Sequence, residues 1–415
     1  MKFLLVTNND FDGVGQPAIN LCINLNAKGH ESKVLVLHKS TNHKFVEKIK
    51  RSLFSRIILF LLNFIKKSYS ELFGFGYATV SYKNLKPHID KADIVIIFTF
   101  YKIISNKVLS KILSNKKNVY FRPLDIELAS GGCHFNRECE NFTLNCEQCP
   151  KLYFNKIINL PSENLKEKKR IFEKYRPKIF VQNNYVGKVF KKSSIFKNLE
   201  TQPIFLGANS QRNKLISKKI AREALNIDEN ERIILFGAFN LASQVKGGHL
   251  LKESLKILES KIKKNITNPV RLLTIGNKNT FVYDSTQIKW THLGLVSSNE
   301  KLNLIYRAAD VLVCPSLYCF GPHIVTEALL NDLPVVAYNL GVAQDTVING
   351  KNGYLVPCFD NNIFADSIYK VLFNEKITIK DPSVDRIKKF CSSEFETNTF
   401  IEVAQADLMI SNKFT

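Results

Sequence analysis

The sequence lacks several features that would place it in other protein classes. It has no run of twenty uncharged apolar residues, so no transmembrane helix is predicted. Its opening residues, MKFLLVTNND, do not have the apolar segment and small-residue cleavage site of a signal peptide. No repeat of short, fixed period is visible, which excludes a solenoid. With 415 residues, 45% of them hydrophobic and 23% charged, we expect a cytoplasmic globular protein of two or three domains.

Acidic residues are scarce relative to basic ones. The 59 Lys and Arg residues exceed the 37 Asp and Glu residues and give a net charge of +22, which favours anionic partners such as nucleic acid, anionic lipid or phosphorylated substrates. The basic residues are spread along the chain and form no aromatic-basic RNA motif, so we predict no nucleic-acid partner and keep a nucleic-acid-binding protein only as an alternative.

Short apolar runs alternate with helical patterns through most of the chain. A strand at 2–8, a turn with Gly13 and Gly15, a helix up to residue 29 and a strand at 33–38 predict one βαβ unit. Strands at 92–98, 118–123 and 177–183 extend this half, and the alternation restarts at 232–239 and continues to 334–339. This order predicts an α/β protein with two Rossmann-like domains, residues 1–205 and 206–394, that face each other across a ligand crevice.

Residues 51–67 depart from this alternation. The nine residues 57–65 are almost wholly apolar and are flanked by Arg51, Arg56, Lys66 and Lys67. The run is too short to span a bilayer. Two alternatives remain, a helix in the interface of an anionic membrane and a helix buried against the first sheet.

The best candidate for an anion-binding site follows the predicted strand at 311–316. A loop with Gly321 and Pro322 leads into a helix that begins near His323 and Ile324, and the free N–H groups at this end favour an anionic group. Glu327 lies about one turn further on, where its carboxylate can accept hydrogen bonds from sugar hydroxyls or act only as a capping residue.

Residues 311–357 resemble the nucleotide-sugar-binding region of glycosyltransferase family 4, whose members are retaining enzymes of GT-B fold. Glu327 matches the second conserved glutamate of that pattern, residues 331–336 match its G-x-P-V-V block, and Asn349, Gly350 and Gly353 match its end. The resemblance covers the C-terminal half almost continuously. It implies that the last helix, at about 395–415, packs back on the N-terminal domain.

The resemblance also assigns roles to individual residues. Lys246 matches the phosphate-binding lysine, whereas Cys319 stands in place of the first conserved glutamate and Ala238 in place of the usual arginine. Lys246 and Glu327 are therefore the catalytic candidates of this half. The implied donor-binding residues are Gly13, Gly15, Gly237, Gly294, Cys319, Gly321, Pro322, His323 and Ile324.

The N-terminal half resembles a subfamily with a GGCH, Cys, C-x-x-C-P pattern. Here the pattern falls on Cys133, Cys139, Cys146 and Cys149, whose four thiolates could hold one structural zinc ion. Disulfides and reduced buried thiols remain alternatives, the former disfavoured in a reducing compartment. Many relatives carry an acceptor-site histidine just before this block. Asp125 is the nearest candidate for that role in this sequence.

The resemblance implies a retaining glycosyltransferase that moves a sugar from a nucleoside diphosphate donor to a lipid-linked or saccharide acceptor in cell-surface polysaccharide biosynthesis. The resemblance implies no cofactor at the catalytic centre, because Lys246 and the helix terminus would stabilise the departing diphosphate. We expect a cytoplasmic protein, and the basic and apolar segment at 51–67 leaves open peripheral binding to the inner face of the cytoplasmic membrane. A non-catalytic GT-B scaffold protein in polysaccharide assembly is the alternative.

Overall fold

The computed structural model describes most of the chain in two compact units. The described residues are 1–66, 75–116, 118–154, 156–157, 159–208, 216–262, 268–277, 281–296, 298–318, 320–374, 377 and 381–413. Unit 1 comprises Met1–Gly207 and Ser393–Thr415, and unit 2 comprises Ala208–Ser392. The boundaries predicted from the sequence are residues 205 and 394.

Unit 1 is built on a seven-stranded parallel sheet of order β3-β2-β1-β4-β5-β6-β7. Its strands are buried because helices cover a parallel sheet on its faces, and Leu5 at the centre lies between Val34 and Ile96. The strands are β1 (Lys2–Asn9), β2 (Glu31–His38), β3 (Val46–Lys48), β4 (Ile94–Ile97), β5 (Val119–Phe121), β6 (Lys178–Val181) and β7 (Gln202–Pro203). The helices are α1 (Asp12–Ala27), α2 (Leu53–Leu61), α3 (Tyr82–Asp90), α4 (Asn106–Asn115), α5 (Leu160–Tyr175) and α6 (Asn184–Lys192).

Unit 2 repeats this plan with a six-stranded parallel sheet of order β10-β9-β8-β11-β12-β13. The strands are β8 (Arg232–Asn240), β9 (Val270–Asn277), β10 (Ile288–His292), β11 (Val311–Cys314), β12 (Val335–Tyr338) and β13 (Gly353–Val356). The helices are α7 (Lys218–Ala224), α8 (Gly248–Ile262), α9 (Asn299–Ala308), α10 (His323–Leu330), α11 (Gly341–Thr346), α12 (Asn361–Tyr369) and α13 (Pro382–Phe390).

The strand order reverses once in each sheet, between β1 and β4 in unit 1 and between β8 and β11 in unit 2. Ligands of open α/β sheets bind outside the carboxyl ends of the strands at such a reversal. Functional residues are therefore expected in the segments that follow β1, β4, β8 and β11.

The last helix, α14 (Ser393–Lys413), belongs to unit 1. Arg122, directly after β5, donates from Nη2 to Glu396 of α14 at 2.8 Å, and the second carboxylate oxygen of Glu396 accepts from the Gly207 N–H at 2.8 Å. Both charged side chains are almost fully buried. The ring of Phe400 packs against Phe180 of β6 with centroids 5.1 Å apart. A buried charge pair and an aromatic contact thus fasten α14 to the sheet of unit 1.

Across the described part of the chain, no helix has both the length and the apolar character needed to cross a membrane.

Candidate functional site

The turn that carries Lys246 is fixed against the loop that follows β11. A short 3-10 helix, Gln244–Lys246, ends at Gly247, which adopts a left-handed conformation with φ of 70°. A Cβ on Gly247 would lie 1.8 Å from the Pro315 carbonyl oxygen, so only glycine allows this approach. The Leu317 N–H donates to the Val245 carbonyl at 2.7 Å. The structure therefore brings Lys246 to the β8–β11 strand reversal.

The amino end of α10 lies at the same strand reversal. Pro322 is its N-cap residue and provides no side-chain hydrogen bond, and His323 and Ile324 begin the helix. A Cβ on Gly237, within β8, would lie 2.3 Å from Ile324 Cδ1. The glycine thus lets β8 approach the start of α10, and Gly321 immediately precedes the cap. This end of α10 has the N–H groups and the dipole that attract an anion.

Glu327 lies beyond the first turn of α10, as its fifth residue. Its Oε2 accepts a hydrogen bond from the Tyr306 hydroxyl of α9 at 2.5 Å. Burial raises the pKa of the Glu327 carboxyl, and burial together with this carboxylate raises the pKa of Tyr306. The tyrosine holds the carboxylate in one orientation. Its position differs from that of a first-turn capping residue, because α10 has no acidic residue in its first turn.

Gly294 follows β10 at the carboxyl edge of the sheet. It has φ of 74°, and its carbonyl accepts from the Gly276 N–H at 2.8 Å. No described atom lies within 4 Å of the place where its Cβ would be, so the backbone here is open to a ligand. Cys319, which stands in place of a conserved glutamate, lies outside the described residues.

Gly13 and Gly15 were predicted in a turn before the first helix, and this prediction is wrong in its local structure. Helix α1 begins at Asp12, so both glycines lie in its first turn. A Cβ on Gly15 would lie 2.4 Å from the Asn9 carbonyl oxygen, whereas Gly13 has open space around it. Gly15 therefore lets the helix start immediately after β1, and Gly13 leaves its amino end uncovered.

In unit 1, Asp125 lies after β5 and pairs with His134. The Asp125 Oδ2 is 2.9 Å from His134 Nδ1, and its Oδ1 accepts from the Glu127 N–H at 2.7 Å. Asp125 is buried, whereas His134 retains partial exposure. The histidine is the more accessible member, and the carboxylate orients its ring. This pairing was not predicted from the sequence, because His134 was noted only as the histidine of the GGCH pattern.

A second buried pair involves Glu127, two residues after Asp125 in the chain. The Nζ of Lys168 on α5 donates to the backbone carbonyl of Glu127 and lies 3.5 Å from Glu127 Oε1. Burial raises the pKa of Glu127 to about 7, against the opposing effect of Lys168. The contact joins residues 41 positions apart, and no sequence signal marked it.

The four clustered cysteines line one small cavity in unit 1. Burial raises the pKa of Cys133 to about 12 and that of Cys146 to about 11. The surrounding chain has little regular structure apart from a 3-10 turn, Asn141–Thr143. Within the described residues, no group of three or more His, Cys, Asp or Glu side chains is arranged to hold a metal ion. Four thiols are nevertheless the donor set of a structural zinc site.

Part of unit 2 is similar to a known protein family. Residues 217–388 match the family model described as glycosyl transferases group 1. The chain is 28% identical over 166 residues to a D-inositol 3-phosphate glycosyltransferase of Corynebacterium urealyticum, across 37% of this chain and 38% of that protein. It is 29% identical over 178 residues to the capsular polysaccharide biosynthesis glycosyltransferase CapM of Staphylococcus aureus, across 39% of this chain and 44% of that protein. The matches thus span less than half of these curated relatives.

Solved structures resemble the chain over its whole length. Sucrose-phosphate synthase from Thermosynechococcus elongatus has a TM-score of 0.67 at 17% identity and covers 99% of this chain and 100% of its own. Anabaena HepE in complex with UDP-glucose has a TM-score of 0.64 at 14% identity and covers 98% and 100%. At this identity the likeness shows the fold alone. Residues 217–388 thus resemble the glycosyl transferases group 1 family, and the chain has a two-domain α/β fold that matches GT-B glycosyltransferase structures.

Proposed function

We propose that the protein transfers a sugar, with retention of configuration, from a nucleoside diphosphate sugar to a hydroxyl of a lipid-linked or saccharide acceptor. The observation that carries this proposal is the convergence of Lys246 and the start of α10 at the strand reversal of unit 2, within the glycosyl transferases group 1 domain. The UDP-glucose complex of HepE supports a nucleotide-sugar donor, and the name of CapM supports a role in polysaccharide biosynthesis.

In this proposal unit 2 stabilises the leaving group with fixed positive charge. The bond between the sugar and the diphosphate breaks, and negative charge grows on the diphosphate. Lys246 and the N–H groups of His323 and Ile324 would bind that charge more strongly in the transition state than in the ground state. Glu327, held by Tyr306, would accept hydrogen bonds from the ribose, and the open backbone at Gly294 would contact the base.

Unit 1 supplies the candidate residue for contact with the acceptor substrate. We assign contact with the acceptor hydroxyl to His134, because the histidine is the accessible member of the pair. Asp125 would orient the imidazole ring of His134. This replaces the sequence-based assignment of Asp125 itself to that role.

The deciding experiment is a thermal-shift screen of UDP, GDP and their sugars, followed by a transfer assay with the donor that binds. A donor at about 100 times its Kd stabilises the folded protein by about 2.7 kcal/mol. Donor binding with transfer to a lipid-linked or saccharide acceptor supports the proposal. Binding without transfer or hydrolysis would favour the non-catalytic scaffold, and no nucleotide binding would overturn both.

We also propose that Cys133, Cys139, Cys146 and Cys149 bind one structural zinc ion, since four thiols around one cavity are the donor set of such a site. We expect about one zinc per chain in protein purified without chelator, and less than half of that for Cys146→Ser. Cys391→Ser is the matched control, because Cys391 is a buried cysteine of unit 2. Absence of zinc together with four thiols that alkylate freely would show reduced, metal-free cysteines instead.

A further inference from the structure

Helix α2 and the 3-10 helix Leu62–Ile65 that follows it present an apolar face to solvent. Ile57, Phe60, Leu61 and Phe64 recur at the spacing of one helix face and are between 52% and 62% exposed. In an ordinary surface helix this stripe faces the core. The alternative of a helix buried against the first sheet is therefore wrong for this face.

A second apolar segment lies beside the first. Leu152 forms an antiparallel bridge with Lys66, and the Tyr153 N–H donates to the Ile65 carbonyl at 3.1 Å. Leu152 is buried, whereas the next residues, Tyr153 and Phe154, are 61% and 58% exposed, and Ile157 is 82% exposed. Two chain segments about ninety residues apart thus meet through their backbones and both expose large apolar side chains.

The chain around both segments is basic. Residues 48–66 and 148–159 contain seven Lys or Arg and no Asp or Glu. Lys50, Arg56 and Lys156 are exposed. Two other cations that flank the apolar run were expected to face a membrane, and the structure differs. Lys66 is buried, and Arg51 donates to the Leu37 carbonyl at 3.0 Å. Lys67 lies outside the described residues.

We propose that this surface, called the docking face and defined by Ile57, Phe60, Leu61, Phe64, Tyr153, Phe154 and Ile157, inserts into an anionic lipid bilayer. Contiguous exposed apolar side chains mark an interaction surface. The exposed cations Lys50, Arg56 and Lys156 match anionic headgroups, which attract each nearby Lys or Arg. The apolar insertion and the basic rim together supply the two signals that stable peripheral binding requires. The inference rests on the proposed function for one point only, namely that a lipid-linked acceptor would lie at this membrane.

The test is co-sedimentation with phosphatidylcholine vesicles that contain or lack phosphatidylglycerol. We expect binding to the anionic vesicles only, and weaker binding at high salt. Phe60→Glu combined with Phe64→Glu should weaken binding at least about tenfold, and Ile157→Glu should weaken it through the second segment.

Matched variants separate membrane docking from general effects of added charge. Ile57→Glu changes a helical isoleucine that is 52% exposed on the docking face, and Ile220→Glu changes one that is 54% exposed on α7 of unit 2. Only Ile57→Glu should reduce vesicle binding, while both variants keep the unfolding temperature of the parent protein. Equal loss in both variants, or no binding of the parent protein to anionic vesicles, would overturn the proposal. So would a dimer that Phe60→Glu with Phe64→Glu dissociates, since the face would then bind a second copy.

Donor binding, measured by thermal shift with UDP and GDP sugars, distinguishes this outcome from failure of the proposed function. The docking variants should bind the donor as well as the parent protein does, because their substitutions belong to unit 1, whereas Lys246 and α10 belong to unit 2.

Discussion

The two units share a fold plan but hold their candidate functional groups in different ways. In unit 2, Lys246 and the start of α10 are positioned by backbone contacts, such as the approach of Gly247 to Pro315, within a segment that matches a family. In unit 1, the buried charges are held by side chains distant in sequence, and Arg122 and Glu396 are 274 positions apart. The comparison teaches that turn geometry leaves a pattern in the sequence, whereas side-chain pairing across a fold leaves almost none.

The largest expected effect comes from breaking the Arg122–Glu396 pair. Arg122→Met leaves the Glu396 carboxylate buried without its cation and should lower the free energy of unfolding of unit 1 by about 3–5 kcal/mol. Hydrogen exchange resolved by residue would show the loss in β5, β6 and α14, because these elements meet at the pair.

Arg222→Met provides the matched change in unit 2. Arg222 is also buried and donates from Nη2 to Asp310 at 2.8 Å. Its loss should destabilise α7 and the amino end of β11 while exchange in unit 1 stays unchanged. If each variant loosened both units equally, the units would not be separate in stability and the comparison would fail.

The sequence predicts most of the fold because its signals are local. Apolar strands and helical spacing locate both parallel sheets, and the terminal helix predicted from about residue 395 is observed from Ser393. Gly237, one of the glycines singled out in the sequence, permits the close approach of β8 to Ile324. The partners Tyr306 of Glu327, His134 of Asp125 and Lys168 of Glu127 could not be predicted, because each contact depends on how elements pack in three dimensions. The start of α1 was misplaced since glycines usually indicate a turn.

The next effect concerns Lys246. Lys246→Ala should reduce kcat about 100-fold, which corresponds to an activation free energy raised by about 3 kcal/mol. The donor affinity should change much less, because the charge on the leaving diphosphate grows toward the transition state. Lys252→Ala on α8 is the control for loss of one positive charge in the same unit. Steady-state kinetics with separate measurement of donor Kd decides. An unchanged kcat would remove Lys246 from the reaction and leave unit 2 with a binding role only.

Glu327 and Tyr306 test how far unit 2 also depends on side-chain pairing. Glu327→Gln should weaken UDP or GDP binding about tenfold, since an amide is a poorer acceptor for ribose hydroxyls than a carboxylate. Tyr306→Phe keeps the carboxylate but removes the hydrogen bond that orients it, so its effect should be smaller. Isothermal titration calorimetry measures both. Nucleotide affinity equal to that of the parent protein in Glu327→Gln would assign Glu327 to the packing of α10 against α9 alone.

The smallest effect is the pH dependence that Glu127 gives to unit 1. Burial raises the pKa of Glu127 to about 7 in the folded protein, above its ordinary value near 4.5. The folded state therefore holds this proton more tightly than the unfolded state, so the associated stability is fully present below pH 4.5 and is lost as pH rises through about 7. We expect the free energy of unfolding to fall by about 1 kcal/mol more between pH 5 and 6 in the parent protein than in Glu127→Gln, because the folded state keeps a proton there that the unfolded state has mostly released. Urea titrations of both proteins across this range give the difference directly, and histidines common to the two proteins cancel. Parallel pH profiles would mean that Lys168 keeps Glu127 ionised throughout this range, so that unit 1 would hold Glu127 and Lys168 as a charged pair, as it does Arg122 and Glu396.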